Sequence, residues 1–222
     1  MNEKTIKQAW ENVYNEHGQN VQWSTQERAN IVVKLVADYI QENNRQINSL
    51  LDYGAGTGHI SVALKNAFNI PNVVAVDIAE NSFDKEALTR NGIKHIAASL
   101  PKDKIDGKFD LILCWSVLYH DHKLLEQTIS EFSKLLTQKG NILIGLFDQF
   151  KENEIDPYSL LPMEAIKPIE ISKLSNVANL SIAKRGKLNI SLGKKVSEVS
   201  TPSRLLRYYF IEKQKEQTNE KQ

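Results

Sequence analysis

The chain has 222 residues, 41% of them hydrophobic, which is enough for one sizeable core and within the usual size of a single domain. Its 28 Lys and Arg against 27 Asp and Glu leave a formal charge of +1, which excludes a global field drawing the protein to nucleic acid or to an anionic membrane. The one cysteine, Cys114, excludes an intramolecular disulfide and any metal site built from several thiolates, so no metal cofactor is expected. No apolar leader opens the sequence and no stretch approaches the roughly 20 apolar residues that span a bilayer, so the expectation is a cytoplasmic protein with neither a membrane nor a nucleic-acid partner.

Residues 1–23 are largely polar, rich in Asn, Gln and Glu and punctuated by Trp10, Tyr14 and Trp23, and can hardly form a core of their own. They are expected to pack on the main domain, either as a lid over a substrate or as a simple anchor, and the two readings weigh equally. Ser24-Thr25-Gln26-Glu27 has capping-box spacing, and Ile31, Leu35, Val36, Tyr39 and Ile40 recur behind it at helical intervals. Short apolar runs then alternate with helical patterns. Leu50-Leu51 precedes a helix over 60–68, and 73–76 precedes a helix over 83–89 that Gly92 stops. Residues 109–114 precede a helix carrying Leu125, Ile129, Phe132 and Leu136 on one face and closed by Lys139-Gly140, and 141–147 form the next strand.

That alternation predicts parallel βαβ units, and runs so continuously apolar predict strands covered on both faces. The prolines at 157, 162 and 168 interrupt the periodicity, and residues 148–175 read as an irregular substrate cap. A short helix over 171–179 and two late strands over 180–190 and 205–211 follow, one of them antiparallel. The domain is expected to span 24–212, with 213–222 as a polar tail.

Asp52-Tyr53-Gly54-Ala55-Gly56-Thr57-Gly58 places three alternate glycines between a buried strand and an amphipathic helix. Without Cβ atoms the turn can be tight, and a ligand can approach the backbone and the helix N-terminus closely. The dinucleotide fingerprint needs glycine or alanine where His59 stands, and Asp52 would oppose a pyrophosphate while attracting an ammonium group. Both features speak against a nicotinamide-dependent oxidoreductase. Val73-Val74-Ala75-Val76-Asp77 ends a second apolar run in a carboxylate about 20 residues past the turn, the spacing of a ribose-binding acid.

The run from Asp52 to Gly58 resembles motif I of the class I S-adenosylmethionine (SAM) dependent methyltransferases. The resemblance implies an α/β fold with a doubly wound, mostly parallel seven-stranded sheet, helices on both faces and a C-terminal antiparallel strand. It also implies that Asp52, Gly54, Ala55, Gly56 and Gly58 wrap the methionine part of SAM, that Asp77 holds the ribose, and that Ile78 lies beside the adenine. Ala97-Ala98-Ser99-Leu100-Pro101 is similar to the adenine-contacting segment but lacks the aspartate the family often carries before Leu-Pro, which leaves that contact to backbone atoms or Ser99, beside Leu100. Residues 109–120 are similar to the fourth strand and the loop after it, with Cys114 and Trp115 near the cofactor.

Methyl transfer is an in-line displacement, so few side chains are obligatory. His120 is the candidate general base and His122 lies beside it. The plainer alternative, that His120 packs or caps the next helix, carries more weight, and Asp121 reads as an N-cap. The Pro-Cys pair of cytosine methylation and the Pro-Pro-Tyr signatures of amino methylation are absent. Lys184-Arg185-Gly186-Lys187 and the Arg204/Arg207 pair read either as an anion patch or, more plainly, as a solvated face. The expected function is methyl transfer from SAM to an oxygen, nitrogen or sulfur of a small-molecule acceptor. The alternatives are a non-catalytic SAM-binding regulator and a methyltransferase acting on a macromolecule.

Overall fold

A computed structural model describes residues 3–18, 21, 26–118, 122–147, 155–156, 159–162, 179–190 and 204–214. The opening segment forms helix α1 (Glu3–His17), which turns Ile6, Val13 and Tyr14 inward. Helix α2 (Gln26–Asn43) buries Ala29, Val32, Val36 and Tyr39, one stripe at helical spacing. The Ser24-Thr25 part of its expected capping box lies outside the described residues, as does Trp23.

Strand β1 (Ser49–Tyr53) leads through the glycine turn into α3 (His59–Phe68), and β2 (Asn72–Asp77) leads through a 3₁₀ turn (Glu80–Ser82) into α4 (Lys85–Arg90). Asp84 caps α4 by accepting the Ala87 N–H at 2.9 Å, and Gly92, at φ 61°, ends the turn that follows, as expected. Strands β3 (Lys94–Ala97) and β4 (Phe109–Trp115), helix α5 (His122–Leu135), and strands β5 (Leu136–Phe147), β6 (Leu180–Ile190) and β7 (Arg204–Lys213) complete the order.

The seven strands run β3-β2-β1-β4-β5-β7-β6 across one sheet. The first four pairings from β3 to β5 are parallel, and β7 is antiparallel to both of its neighbours. This is the expected doubly wound sheet. The chain winds outward from β1 to β3, returns to β4 beside β1, and so opens a crevice at the carboxyl ends of β1 and β4. One face carries α2, α3 and α4 over Leu50, Leu111, Leu113 and Phe210, and the other carries α5 over Leu51, Ile112, Ile144 and Ile211.

Two boundaries differ from the sequence reading. Helix α5 ends at Leu135 and Lys139-Gly140 lies within β5, not at a helix stop. The register with β4 shifts between Phe109 and Leu111, and a Cβ on Gly140 would sit 2.6 Å from the Phe109 carbonyl oxygen, so this glycine permits close backbone approach at a bulge. Lys213, expected as the first tail residue, is the last residue of β7. The short helix expected over 171–179 lies almost wholly outside the described residues. So does most of the 148–175 cap, of which Ile155 and Pro162 form an isolated antiparallel bridge.

Candidate active site

Three glycines of the turn all take left-handed backbone, with φ 74° at Gly54, 55° at Gly56 and 82° at Gly58. Their surroundings differ. A Cβ on Gly54 would lie 2.2 Å from Val117 Cγ2 and one on Gly58 would lie 2.4 Å from Leu88 Cδ2, so these two make room for the protein's own packing. At Gly56 the nearest atom is the Tyr14 hydroxyl, at 2.9 Å, at the end of a side chain that α1 lays across the turn. Gly54 and Ala55 donate their N–H groups to the Val76 carbonyl at 2.7 and 2.9 Å, which fastens the turn to the end of β2.

Asp77, the last residue of β2, uses both oxygens on backbone. One accepts the Gly56 N–H at 2.8 Å and the other the Ala79 N–H at 2.9 Å. Burial pushes its carboxyl up to about 6, against the opposing effect of those N–H donors. Asp52 accepts the Ser61 hydroxyl at 2.6 Å, and burial pushes it up to about 7; the Ser61 bond works against that rise and the nearby Asp77 charge adds to it. Among the described residues no Lys or Arg forms an ion pair with either carboxylate. Two buried acids thus lie beside a backbone turn with, among the described residues, no cation paired to either.

The remaining expected residues divide. Ile78 is only partly buried beside Asp77. Ser99 is turned inward: its hydroxyl bonds Tyr53, and its N–H is held by Asp103 at 2.8 Å. The Leu100 N–H donates to the Tyr53 hydroxyl at 3.1 Å and its side chain is buried. The aspartate absent before Leu-Pro thus has a counterpart after it, in a structural role. Cys114 is enclosed in the α5-side core, where burial pushes its thiol far up and makes it a packing group. Cys114, expected near the cofactor, stands one residue from the carboxyl end of β4 with its side chain in the core. Trp115 lies on the opposite sheet face over Gly145, where a Cβ would meet the indole at 2.4 Å, and among the described residues its Nε1–H has no hydrogen-bond partner. His120 and Asp121 lie outside the described residues, as does the His122 side chain.

Two features were not legible in the sequence. The Tyr53 hydroxyl organises the 99–100 segment, and α1 covers the turn, docked by Asn81 donating to the Glu11 carbonyl and to Asn15, both at 2.8 Å. Tyr14 stood out only as an aromatic in a polar segment. Among the described residues no group of His, Cys, Asp and Glu could hold a metal, and no helix is long and apolar enough to cross a membrane.

Residues 23–174 match the family described as a methyltransferase domain. The chain therefore belongs to the methyltransferase domain family and has the class I methyltransferase fold. It is 24% identical over 148 residues to a malonyl-[acyl-carrier protein] O-methyltransferase of Anoxybacillus flavithermus, a match covering 64% of this chain and 57% of that protein. The chain thus spans little more than half the length of that relative. Among solved structures it resembles a SAM-dependent methyltransferase from Clostridium acetobutylicum, with TM-score 0.67, 16% identity and 93% and 99% of the two chains covered. It also resembles the Burkholderia thailandensis 1,6-didemethyltoxoflavin-N1-methyltransferase, solved with bound 1,6-didemethyltoxoflavin and S-adenosylhomocysteine. There the TM-score is 0.70, with 17% identity and 96% and 88% coverage.

Proposed function

We propose that this protein transfers the methyl group of SAM to an oxygen, nitrogen or sulfur of a small-molecule acceptor, in the cytoplasm. The observation that carries the cofactor assignment is the pair of buried carboxylates, Asp52 and Asp77, lying beside a turn whose Gly56 has no side chain to exclude a ligand. SAM carries an ammonium and a sulfonium and no phosphate, so its charge suits two acids that lack a cation. The main-chain groups of residues 54–58 and the Asp52 carboxylate would hold the methionine part, Asp77 the ribose, and Ile78 with the 99–100 backbone the adenine.

When bound, SAM supplies an electrophilic methyl group on a positively charged sulfur. The protein's part is alignment and exclusion of water. Helix α1 supports that part, because Tyr14 already lies against the turn and shields it. Where the acceptor atom must lose a proton, we assign that task to His120, which follows β4 in the chain and carries an imidazole, the side chain most often used as a general base. The relatives named above act, by their names, at oxygen in one case and nitrogen in the other, so the fold leaves the acceptor atom open.

The test is a turnover screen across small-molecule classes, following S-adenosylhomocysteine and identifying products by mass. Product formation from any class supports the reading. Tight SAM binding without turnover on any class would replace it with a SAM-binding regulator. A preference for a protein or nucleic acid over every small molecule would move the acceptor to macromolecules. His120→Gln is expected to lower kcat about 10²-fold or more on acceptors that must be deprotonated, and little on those already ionised.

A further inference from the structure

A cavity of about 410 Å³ opens at the far side of the sheet from β3, lined among the described residues by Arg185, Gly186, Lys187, Arg207 and Tyr209. Register explains how four of these side chains meet. Lys187 pairs with Arg207 and Arg185 with Tyr209 across the β6/β7 ladder, so they stand as a two-by-two block on one sheet face. Tyr209 belongs to the core cluster under α5 and is 3% exposed, which makes it the floor. Three cations border it. Like charges directly opposed on neighbouring strands are destabilising. Among the described residues no carboxylate pairs with Arg185 or Lys187.

The block sits at the functional end of the sheet. Tyr53, Cys114, Ile144, Tyr209 and Arg185 form one row across five strands, and Leu146, Arg207 and Lys187 form the next row toward the carboxyl ends of β1, β4 and β5. With strands about 4.8 Å apart, the cations on β6 lie about 14 Å from β4 and about 19 Å from β1. The cavity volume falls in the range of small-molecule sites. A solvated face would spread its charges; here they converge from two strands over a buried aromatic floor.

We propose that this pocket binds an oxyanion group, carboxylate or phosphate, of the methyl acceptor, and so selects anionic acceptors whose anion lies some 10–20 Å from the glycine turn along the sheet. This rests on the methyltransferase reading and extends it to a substrate class. Arg185 supplies a planar fork suited to two oxygens and Lys187 a point charge.

Arg185→Gln, Lys187→Gln and the double variant test the proposal, since both side chains are exposed and their loss leaves the core intact. Inorganic phosphate and acetate are titrated calorimetrically at constant ionic strength. The wild type is expected to bind at least one of them, and the double variant at least tenfold more weakly; the preferred anion tells phosphate from carboxylate acceptors. With acceptors found by the turnover screen, KM for an anionic acceptor should rise tenfold or more with kcat nearly unchanged, while its uncharged amide or dephosphorylated counterpart responds equally in all forms. Absence of anion binding in the wild type, or unchanged anion binding or unchanged KM in the double variant, would overturn the pocket. SAM titration on the same preparations separates the two readings: wild-type protein that fails to bind SAM sinks the methyltransferase reading and leaves the anion titrations to judge the pocket alone.

Discussion

Replacing Asp77 by alanine is expected to weaken cofactor binding far more than it weakens the fold. The carboxylate accepts the Gly56 and Ala79 N–H groups, at 2.8 and 2.9 Å. Each N–H left buried without a partner costs about 1–3 kcal/mol. Against that loss stands the carboxylate's own burial, which raises it to about 6 from 3.8 and so makes the ionised form costlier in the folded chain than in the unfolded one, even with both donors in place. The opposing effects leave the net change in stability at about 2 kcal/mol or less. Cofactor binding has no such offset. Two charge-assisted bonds to the ribose hydroxyls, about 1.5–3 kcal/mol each, disappear together, which raises Kd by roughly 10²–10⁴-fold. Asp77→Asn should fall between, because the amide keeps one acceptor and turns its NH₂ toward a backbone donor. Calorimetric titration with SAM and S-adenosylhomocysteine, beside a thermal melt of each variant, measures both quantities. A folded Asp77→Ala protein whose Kd moves less than about threefold would place the ribose elsewhere and undo the assignment of the motif.

The carboxyls of Asp52 and Asp77 are raised to about 7 and about 6 from 3.8, so between these limits the folded chain holds protons that the unfolded chain has released. Their contribution to stability is therefore complete only below about pH 4 and declines progressively until pH has risen through 6–7, while affinity for the cationic cofactor grows as the two acids ionise. A SAM Kd that stays flat from about pH 5.5 to pH 8 would refute this. Gly56→Val should abolish SAM binding; its left-handed φ of 55° costs stability of itself, while its nearest neighbour is only the tip of Tyr14. Gly54→Ala and Gly58→Ala should chiefly lower the melting temperature, their Cβ atoms being driven into Val117 and Leu88. Equal effects of all three on melting and on binding would show that the turn is only a connector. Removing residues 1–23 takes away α1 and the Tyr14 hydroxyl at the turn but leaves every strand in place. Circular dichroism should show a folded protein that retains weakened SAM affinity and loses turnover. Full activity would sink the lid, and global unfolding would make α1 an anchor.

Much of this molecule was legible in one dimension, because the signals were local. The apolar runs at 50–51, 73–76, 109–114 and 141–147 announce buried strands, and glycines spaced two apart before an amphipathic helix announce a ligand turn. Strand β3 escaped the same reading: at the sheet's edge it is only partly covered, and Lys94-His95-Ile96-Ala97 shows no continuous apolar run. Gly140 misled because a glycine looks alike at a helix stop and at a bulge, and only the neighbouring Phe109 carbonyl decides between them. The sequence by itself determined the strand-turn-helix units and the presence of acids at the ends of β1 and β2, since both follow from side-chain periodicity and backbone chemistry within a few residues. Only the tertiary structure decided that Ser99 and Cys114 turn inward, that Tyr14 reaches Gly56, and that Arg185, Lys187 and Arg207 share one pocket. Each of those facts is a distance between residues far apart in the chain, and such distances are set by sheet order and register, which no local pattern records.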